Sequence, residues 1–283
     1  MKLTIYRPVV VYAAVVLALT IPFCAAHANS DEFIAVSYEV RVSGLTAFTI
    51  EYSSNISADG YQSKVSVKTG DIVSLFSGYR LKMESSGSFS KGEPRPAQFS
   101  SQSEKHAKTK FVKLNWSSDG TPMTGGPSKE NPSIQAEIDA ALKAGVVDPL
   151  TAVLRLGAPS ATTLCANTLR IFDGRDVFDL RFAPKKEVTI GSDVKGIYRG
   201  TAFECDMTYM PVAGRSATKF MKRKTEPPTY KVWFAPVQIV VPERSLFIPV
   251  FASGMLDDMK FIAYTNRATI GGNPFNQLSV AKK

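Results

Sequence analysis

Apolar and polar positions alternate from residue 33 onward. Ile34, Val36, Tyr38, Val40 and Val42 share one parity, the period of a strand with one buried face. Ser43-Gly44 signals a turn. Phe48, Ile50 and Tyr52 resume the alternation, and Asp59-Gly60 signals a second turn before Tyr61, Val65 and Val67. Strands joined by such short turns predict an antiparallel meander. From Lys68 to Ser86 the spacing of Ile72, Val73, Leu75, Phe76, Tyr79, Leu81 and Met83 mixes helical and strand periods. It predicts a short helical turn that feeds a strand. Gly87 predicts a break, and Phe89 to Trp116 reads as short strands divided at Glu93-Pro94-Arg95-Pro96. Residues 117–132, rich in Gly, Pro and Ser, predict the longest loop, a mobile one.

The period then changes. Ser133 to Ala144 carries Ile134, Ile138 and Leu142 at helical spacing, with Ser133 placed to cap the start and Gly145 to close the end. A second helix is predicted through Leu156, with Asp148 as N-cap, Pro149 in the first turn and Gly157 after the end. From Cys165 the β pattern returns. Leu169 to Phe172 and Val177 to Phe182 flank Asp173-Gly174, and Val188 to Ile190 and Gly196 to Tyr209 follow. Tyr230 to Val241, Leu246 to Phe251 and Met259 to Tyr264 are apolar runs interrupted by Pro236, Pro242 and Pro249. Proline within a strand belongs at an edge or a bulge, so the sheet should bend. A β-rich chain must also manage its sheet edges. The expected fold is mainly β: a single curved antiparallel sheet forming an open or closed barrel, with one or two short helices as plug or lid.

Length and charge place limits on this picture. The chain has 283 residues and a formal net charge of +9, enough for one large β domain. Lys2 and Arg7 precede the apolar run Val9 to Phe23, and Ala26-His27-Ala28 is a small-residue cleavage site. The segment 1–28 therefore reads as a cleaved signal peptide, leaving 29–283 as a single β-rich periplasmic domain. The alternative is an uncleaved anchor, which the shortness of the run disfavours. Processing would remove Cys24 and His27 and leave Cys165, Cys205 and His106. Two cysteines in an exported chain most often form one disulfide. The loop of roughly 40 residues would then contribute about 4 kcal/mol in the chain-entropy account. The rival is a redox or metal role, for which there is neither a C-x-x-C motif nor a nearby histidine.

Candidate chemistry is sparse. Asp173-Gly174-Arg175-Asp176, with Asp179 beyond, offers carboxylates for acid–base work or a cation. The simpler reading is a type I′ hairpin turn with Arg175 paired locally. Ser88/Lys91, Ser192/Lys195 and Ser216/Lys219 match Ser-x-x-Lys, and Lys68-Thr69-Gly70 adds a further fragment. Their order is wrong for a penicilloyl-serine hydrolase and the Ser-Asp-Asn element is missing. His106, in a charged stretch, has no G-x-S-x-G companion. No catalytic residue, cofactor site or metal site is assigned. Lys105, Lys108, Lys110 and Lys113, and the run with Lys219, Lys222, Arg223 and Lys224, are basic. Export makes nucleic acid an improbable partner, so the second run is the candidate contact for anionic lipid or peptidoglycan, set against an ordinary solvated surface. Phe220 and Met221 inside it add weight to a membrane-surface contact. The aromatics Tyr230, Trp233, Phe234, Phe247, Phe251, Phe261 and Tyr264 either fill the core or line an apolar cavity.

An ordered set of short motifs runs along the mature chain. It comprises Gly44-Leu45, Thr69-Gly70, Ser85-Ser86-Gly87, Asp148-Pro149-Leu150 and Cys165. It continues through Phe172-Asp173-Gly174-Arg175, Asp179-Leu180, Tyr198 to Cys205, Pro211 to Gly214, Val232-Trp233 and Ile248-Pro249-Val250. The set resembles the bacterial domain-of-unknown-function 3108 family, in the form found in exported proteins of alphaproteobacteria. Arg215 fits loosely where that pattern has an aromatic or basic residue. The resemblance implies an exported, β-rich envelope protein with its two cysteines paired, and implies no enzyme activity. The expected function is a non-enzymatic periplasmic protein that supports cell-envelope structure or integrity through binding, with an envelope protein as a further possible partner. The alternative is a barrel-type carrier of a lipid or other amphiphile.

Overall fold

The computed structural model describes residues 31–70, 78–105, 108–124, 131–157, 163–223, 226–239, 244–256 and 258–275. The first strands are β1 (Glu32–Val42), β2 (Leu45–Ile56), β3 (Gly60–Thr69), β4 (Arg80–Ser90), β5 (Glu93–Lys105), β6 (Lys108–Trp116) and β7 (Pro122–Thr124). Helices α1 (Pro132–Leu142) and α2 (Pro149–Gly157) follow. Then come β8 (Thr168–Phe172), β9 (Val177–Ile190), β10 (Gly200–Ala213) and helix α3 (Arg215–Arg223). β11 (Thr229–Ile239), β12 (Arg244–Leu256), β13 (Met259–Ile270) and β14 (Asn273–Pro274) complete the order. All strands belong to one 14-stranded antiparallel sheet, ordered β7-β6-β5-β4-β3-β2-β1-β13-β12-β11-β10-β9-β8, with β14 on β13. The expected curved antiparallel sheet is therefore present.

The sheet curls until its two edges approach, but no ladder joins them. A Cβ on Gly174, in the β8–β9 turn, would run into the Val112 side chain of β6. The seam is filled by Val146 and Val147. The Val147 amide donates to the Arg170 carbonyl at 3.1 Å, and the Phe172 amide donates to the Val147 carbonyl at 2.9 Å. On the other side the Trp116 indole donates to the Val146 carbonyl at 3.4 Å. One short stretch thus covers the β8 edge and ties it to the other end of the sheet, which removes a template for aggregation.

Helix α2 lies inside the curl. It has 9 residues, too few to be stable alone. Its stability comes from the sheet that surrounds it. Leu150, Ala152, Leu154 and Leu156 are buried, and so is Thr151. Leu154 joins Ile34, Val36, Tyr52, Ala235, Val237 and Ile248 in the main core cluster. Leu150 joins Phe99, Leu114, Phe172 and Val177 in a second one, beneath Ile138 of α1. Each fully buried leucine contributes about 1.5–3 kcal/mol. Of the predicted plug or lid, α2 is the plug.

The prolines report where the sheet opens. Pro94 and Pro96 sit in β5 ahead of Gln98, where pairing with β6 begins. The expected break at residues 93–96 is therefore continuous strand. Pro184 and Pro211 likewise lie where β8 and β11 have ended. Pro236 lies beyond the last β10 partner, and Pro249 lies before the first β13 partner. Each occupies a position with one missing neighbour, so its absent N–H breaks no ladder. Val188 to Ile190 is the far half of β9, not a separate strand. Gly87 does not break the chain either. It sits within β4 at a register shift, and a Cβ there would run into the Arg95 carbonyl oxygen. Glycine is used here for close backbone approach.

Other expectations are corrected in detail. Asn131, not Ser133, caps α1, its Oδ1 accepting from the Ser133 amide at 3.0 Å. β7 lies within the predicted 117–132 loop, of which residues 125–130 are outside the described residues. So are the predicted helical turn at 71–77, the signal segment 1–28, His106, Pro242 and Lys224. Helix α3 was not anticipated.

Candidate functional site

The plug is pinned by one carboxylate. Asp148 Oδ1 accepts from the Leu150 amide at 2.9 Å and the Thr151 amide at 3.0 Å, which satisfies the first donors of α2 as an N-cap should. Oδ2 accepts from Ser85 Oγ of β4 at 3.0 Å and takes a short bond from Thr151 Oγ1. With its proton committed to Asp148, Thr151 Oγ1 is the acceptor for Tyr61 Oη of β3, at 2.6 Å. A separate buried group beside it joins Tyr52 to Ser63 and Ser54, whose hydroxyls are 2.9 Å apart. Burial pushes the Asp148 carboxyl up, against the opposing pull of Thr151, Ser85 and the Leu150 amide. Burial also pushes the Tyr61 and Tyr52 hydroxyls up. At the far end of α2, Arg155 Nε donates to the Pro94 carbonyl at 3.1 Å.

This cluster has the residue types of a hydrolytic site and none of its access. Asp148 and Thr151 are fully buried and Ser85 nearly so. Both hydroxyls point their protons into the Asp148 carboxylate, which is itself buried and committed to the α2 amides. The space beside α2, between Tyr38, Tyr52, Val153, Leu154 and Ile248, amounts to about 20 Å³. That is room for about one water molecule, far below the several hundred Å³ of a ligand pocket.

The predicted carboxylate pair separates into structural roles. Asp173 Oδ1 accepts from the amides of Arg175 and Asp176 at 2.9 and 2.8 Å. Only Gly174 of this turn has positive φ, at 90°, so the connection is not the expected type I′ turn, which needs two such residues. Arg175 lies near Asp176 at 4.0 Å, the local pairing anticipated. Asp176 reaches across to α3, accepting from the Ser216 amide at 2.9 Å and the Ser216 hydroxyl at 3.0 Å. Asp179 forms a bidentate pair with cross-strand Arg170 at 2.8 and 3.1 Å. Among the described residues no group of His, Cys, Asp and Glu is placed to hold a metal.

Cys165 and Cys205 form a disulfide, with their Cα atoms 5.8 Å apart. It ties the segment after α2 to β10, in a core cluster with Leu156, Phe182, Phe234 and Phe247. Of the remaining predicted site residues, Lys219 and Lys222 are exposed. Ser88/Lys91 ends β4, Ser192/Lys195 lies between β9 and β10, and Ser216/Lys219 lies on α3, so the Ser-x-x-Lys fragments are not brought together. Lys219, Lys222 and Arg223 all belong to α3, whose Ala217 is buried while Lys219, Met221 and Lys222 are exposed.

Antiparallel pairing sends the strand connections alternately to two rims. One rim carries the ends of β1, β3, β5, β8, β10 and β12 and the starts of their successors, and α3 follows β10 there. An open groove of about 580 Å³ lies beside it, lined by Arg41, Leu45, Thr46, Thr49, Ser66 and Lys68 among others. Nearby, the Tyr264 hydroxyl, donating at 2.8 Å, holds the Glu39 carboxyl below the usual range. Thr46 and Arg41 bind the same carboxylate.

A crystal structure of a beta-barrel-like protein of domain of unknown function DUF1849 from Brucella abortus is similar in outline. It is 13% identical, the match covers 85% of this chain and 97% of that one, and the TM-score is 0.43. No curated protein matches the chain. The family model described as "Protein of unknown function (DUF3108)" matches residues 37–257, the span from the middle of β1 to the end of β12. The chain belongs to the DUF3108 family.

Proposed function

We propose that the protein is a non-enzymatic, exported component of the cell envelope that acts by binding at its outer surface. The observation that carries this reading is the filled interior. Among the described residues, helix α2 occupies the curl of the sheet, its polar end is hydrogen-bonded to Asp148, and the gap beside Val153 and Leu154 holds about 20 Å³. A barrel filled in this way favours surface binding over the alternative, carriage of an amphiphile inside it. The sealed hydroxyl–carboxylate cluster gives no route for a substrate, which supports a role without catalysis.

A deletion strain tests the reading. Increased sensitivity to detergent and cell-wall antibiotics, reversed by the wild-type gene, is expected. A strain that matches its parent under both stresses would overturn it. Native mass spectrometry of protein purified without detergent distinguishes the alternative. A bare mass agrees with surface binding, whereas a reproducible extra mass that organic solvent removes would favour the carrier.

A further inference from the structure

We infer that the rim formed by the end of β1, the start of β2, α3 and the β12–β13 turn docks on an anionic lipid bilayer, with the barrel standing on the membrane rather than crossing it. The inference rests on the envelope reading above and names its ligand class. Exposed large apolar side chains are not scattered over this molecule. Among the described residues, Leu45, Met221, Met255 and Met259 lie at this rim, and Phe111, 72% exposed, faces outward just below it, opposite Gln102 of β5; Phe33 and Met123 lie elsewhere. Single exposed apolar residues are ordinary, but several gathered at one end of a barrel mark an interaction surface.

The same rim is basic. Lys68, Arg80, Lys105, Lys108, Lys222 and Lys260 are exposed there. Asp258 and Glu226 are exposed carboxylates on this side, and α1 adds Glu137 and Asp139 next to β9 and β10. Other acids at the rim are already engaged: Glu39 by Tyr264, Thr46 and Arg41, Glu104 by Gln102 and opposite Arg80, and Asp176 by α3. The opposite rim mixes signs, with Lys91 and Arg95 beside Asp59 and Asp119. Lysine stems lie along an interface and keep their ammonium groups at the headgroups, while methionine, leucine and phenylalanine enter the acyl boundary. Helix α3 has this layout, with Met221 between Lys219 and Lys222.

The wall of the barrel excludes the spanning alternative. A membrane barrel needs an apolar outer band. Here the outward rows of β3 to β5 include Lys64 paired with Glu84 at 3.5 Å, and Lys82 opposite Gln102. The groove by Leu45 is lined by Arg41, Lys68, the hydroxyls of Thr49 and Ser66, and Glu51, whose carboxylate lies 3.7 Å from Arg267 and accepts from Ser37 at 3.0 Å; a headgroup phosphate fits on its Arg41 and Lys68 side once the rim is seated.

The test uses the protein as the cell processes it, its N-terminus fixed by intact mass. Flotation is measured with vesicles of phosphatidylcholine, with and without phosphatidylglycerol. Binding only to the anionic vesicles, weakened by salt, is expected. Lys219→Gln with Lys222→Gln lowers partitioning about 25-fold, at about fivefold for each cation. Met255→Ser with Met259→Ser lowers it about tenfold. Lys64→Gln with Lys91→Gln, away from this rim, changes it by less than about twofold. All these positions are exposed, and circular dichroism confirms that each variant folds. Equal binding to neutral vesicles, or equal effects of the two lysine pairs, overturns the proposal. Absence of vesicle binding also overturns it. If the Lys219/Lys222 variant then still fails to restore the deletion strain, the rim has a protein partner and the envelope reading stands. If the deletion strain itself matches its parent, it is the envelope reading that falls.

Discussion

Replacing Asp148 with alanine should release the plug. The carboxylate is the common acceptor of two amides and two hydroxyls, all buried. Loss of the helix cap costs about 1 kcal/mol, and up to about 2. Ser85 and Thr151 lose their acceptor too. Because they are 3.3 Å apart, one can donate to the other, which leaves one buried hydroxyl unsatisfied at about 1–3 kcal/mol. The emptied carboxylate volume adds roughly 1 kcal/mol. The total is about 3–6 kcal/mol, so Tm falls by roughly 6–24 °C for a chain of this size. Urea unfolding followed by tryptophan fluorescence measures it. Trp116 is a local reporter because its indole binds Val146, two residues before Asp148. A lower midpoint at constant m is expected. Asp148→Asn keeps an oxygen for the amides and costs less, about 1–2 kcal/mol. The pair also isolates the titration. Burial raises the folded carboxyl above its unfolded value of about 3.9, so the native state holds the proton longer. Its contribution is full below that value and is lost as pH rises through the folded one. The stability gap between wild type and Asp148→Asn should therefore narrow as pH climbs above about 4. A loss below about 0.5 kcal/mol for Asp148→Ala, the range of surface substitutions, would refute the pinning argument.

Other substitutions test separate joints of the fold. Reducing the disulfide, or replacing both cysteines with alanine, should cost about 4 kcal/mol for this loop length; reductant should then have no effect on the double variant. Gly87→Ala should cost about 2–3 kcal/mol through the clash with the Arg95 carbonyl, whereas Gly92→Ala in the neighbouring turn meets no atom within 4 Å and should cost only the left-handed backbone at φ +81°, about 1–2 kcal/mol. A larger loss at Gly92 would contradict the bulge assignment. Asp176→Ala should cost about 1–2 kcal/mol by uncapping α3 and should increase protease cleavage there; unchanged cleavage would show that α3 is held by Ala217 alone.

The sheet was legible because its signals are local. Alternation in β1 to β3 and the Ser43-Gly44 and Asp59-Gly60 turns depend on neighbouring residues. The Asp148-Pro149 start and Gly157 end of α2 are local in the same way. The misreadings share another cause. Gly87 and the 93–96 prolines read as breaks because what makes them tolerable is a neighbouring strand's approach or its end, both set by pairing. Asp176 reads as half of a carboxylate pair because its partner, Ser216, lies 40 residues away. Helix α3 was missed because its short, lysine-rich sequence was read as a charge run. Its signal was present: Ala217 and Phe220 lie at helical spacing, behind Gly214. The plug network was least legible, since Ser85, Tyr61 and Asp148 come from separate elements.

A carrier reading would require α2 to leave the barrel, and the cost of that departure can be bounded. Re-exposing Leu150, Leu154 and Leu156 costs about 1.5–3 kcal/mol each. That is about 5 kcal/mol or more before the Asp148 network is broken, so the vacated state holds less than roughly one molecule in a thousand. A ligand selecting that state would lose affinity by the same factor. Hydrogen exchange measures the quantity directly. If α2 is integral to the core, the Leu154 and Leu156 amides should exchange only with global unfolding, together with the centre of β3. If they exchange well before β3, α2 opens as a unit, and the interior becomes available to ligands in a way that the filled structure argues against.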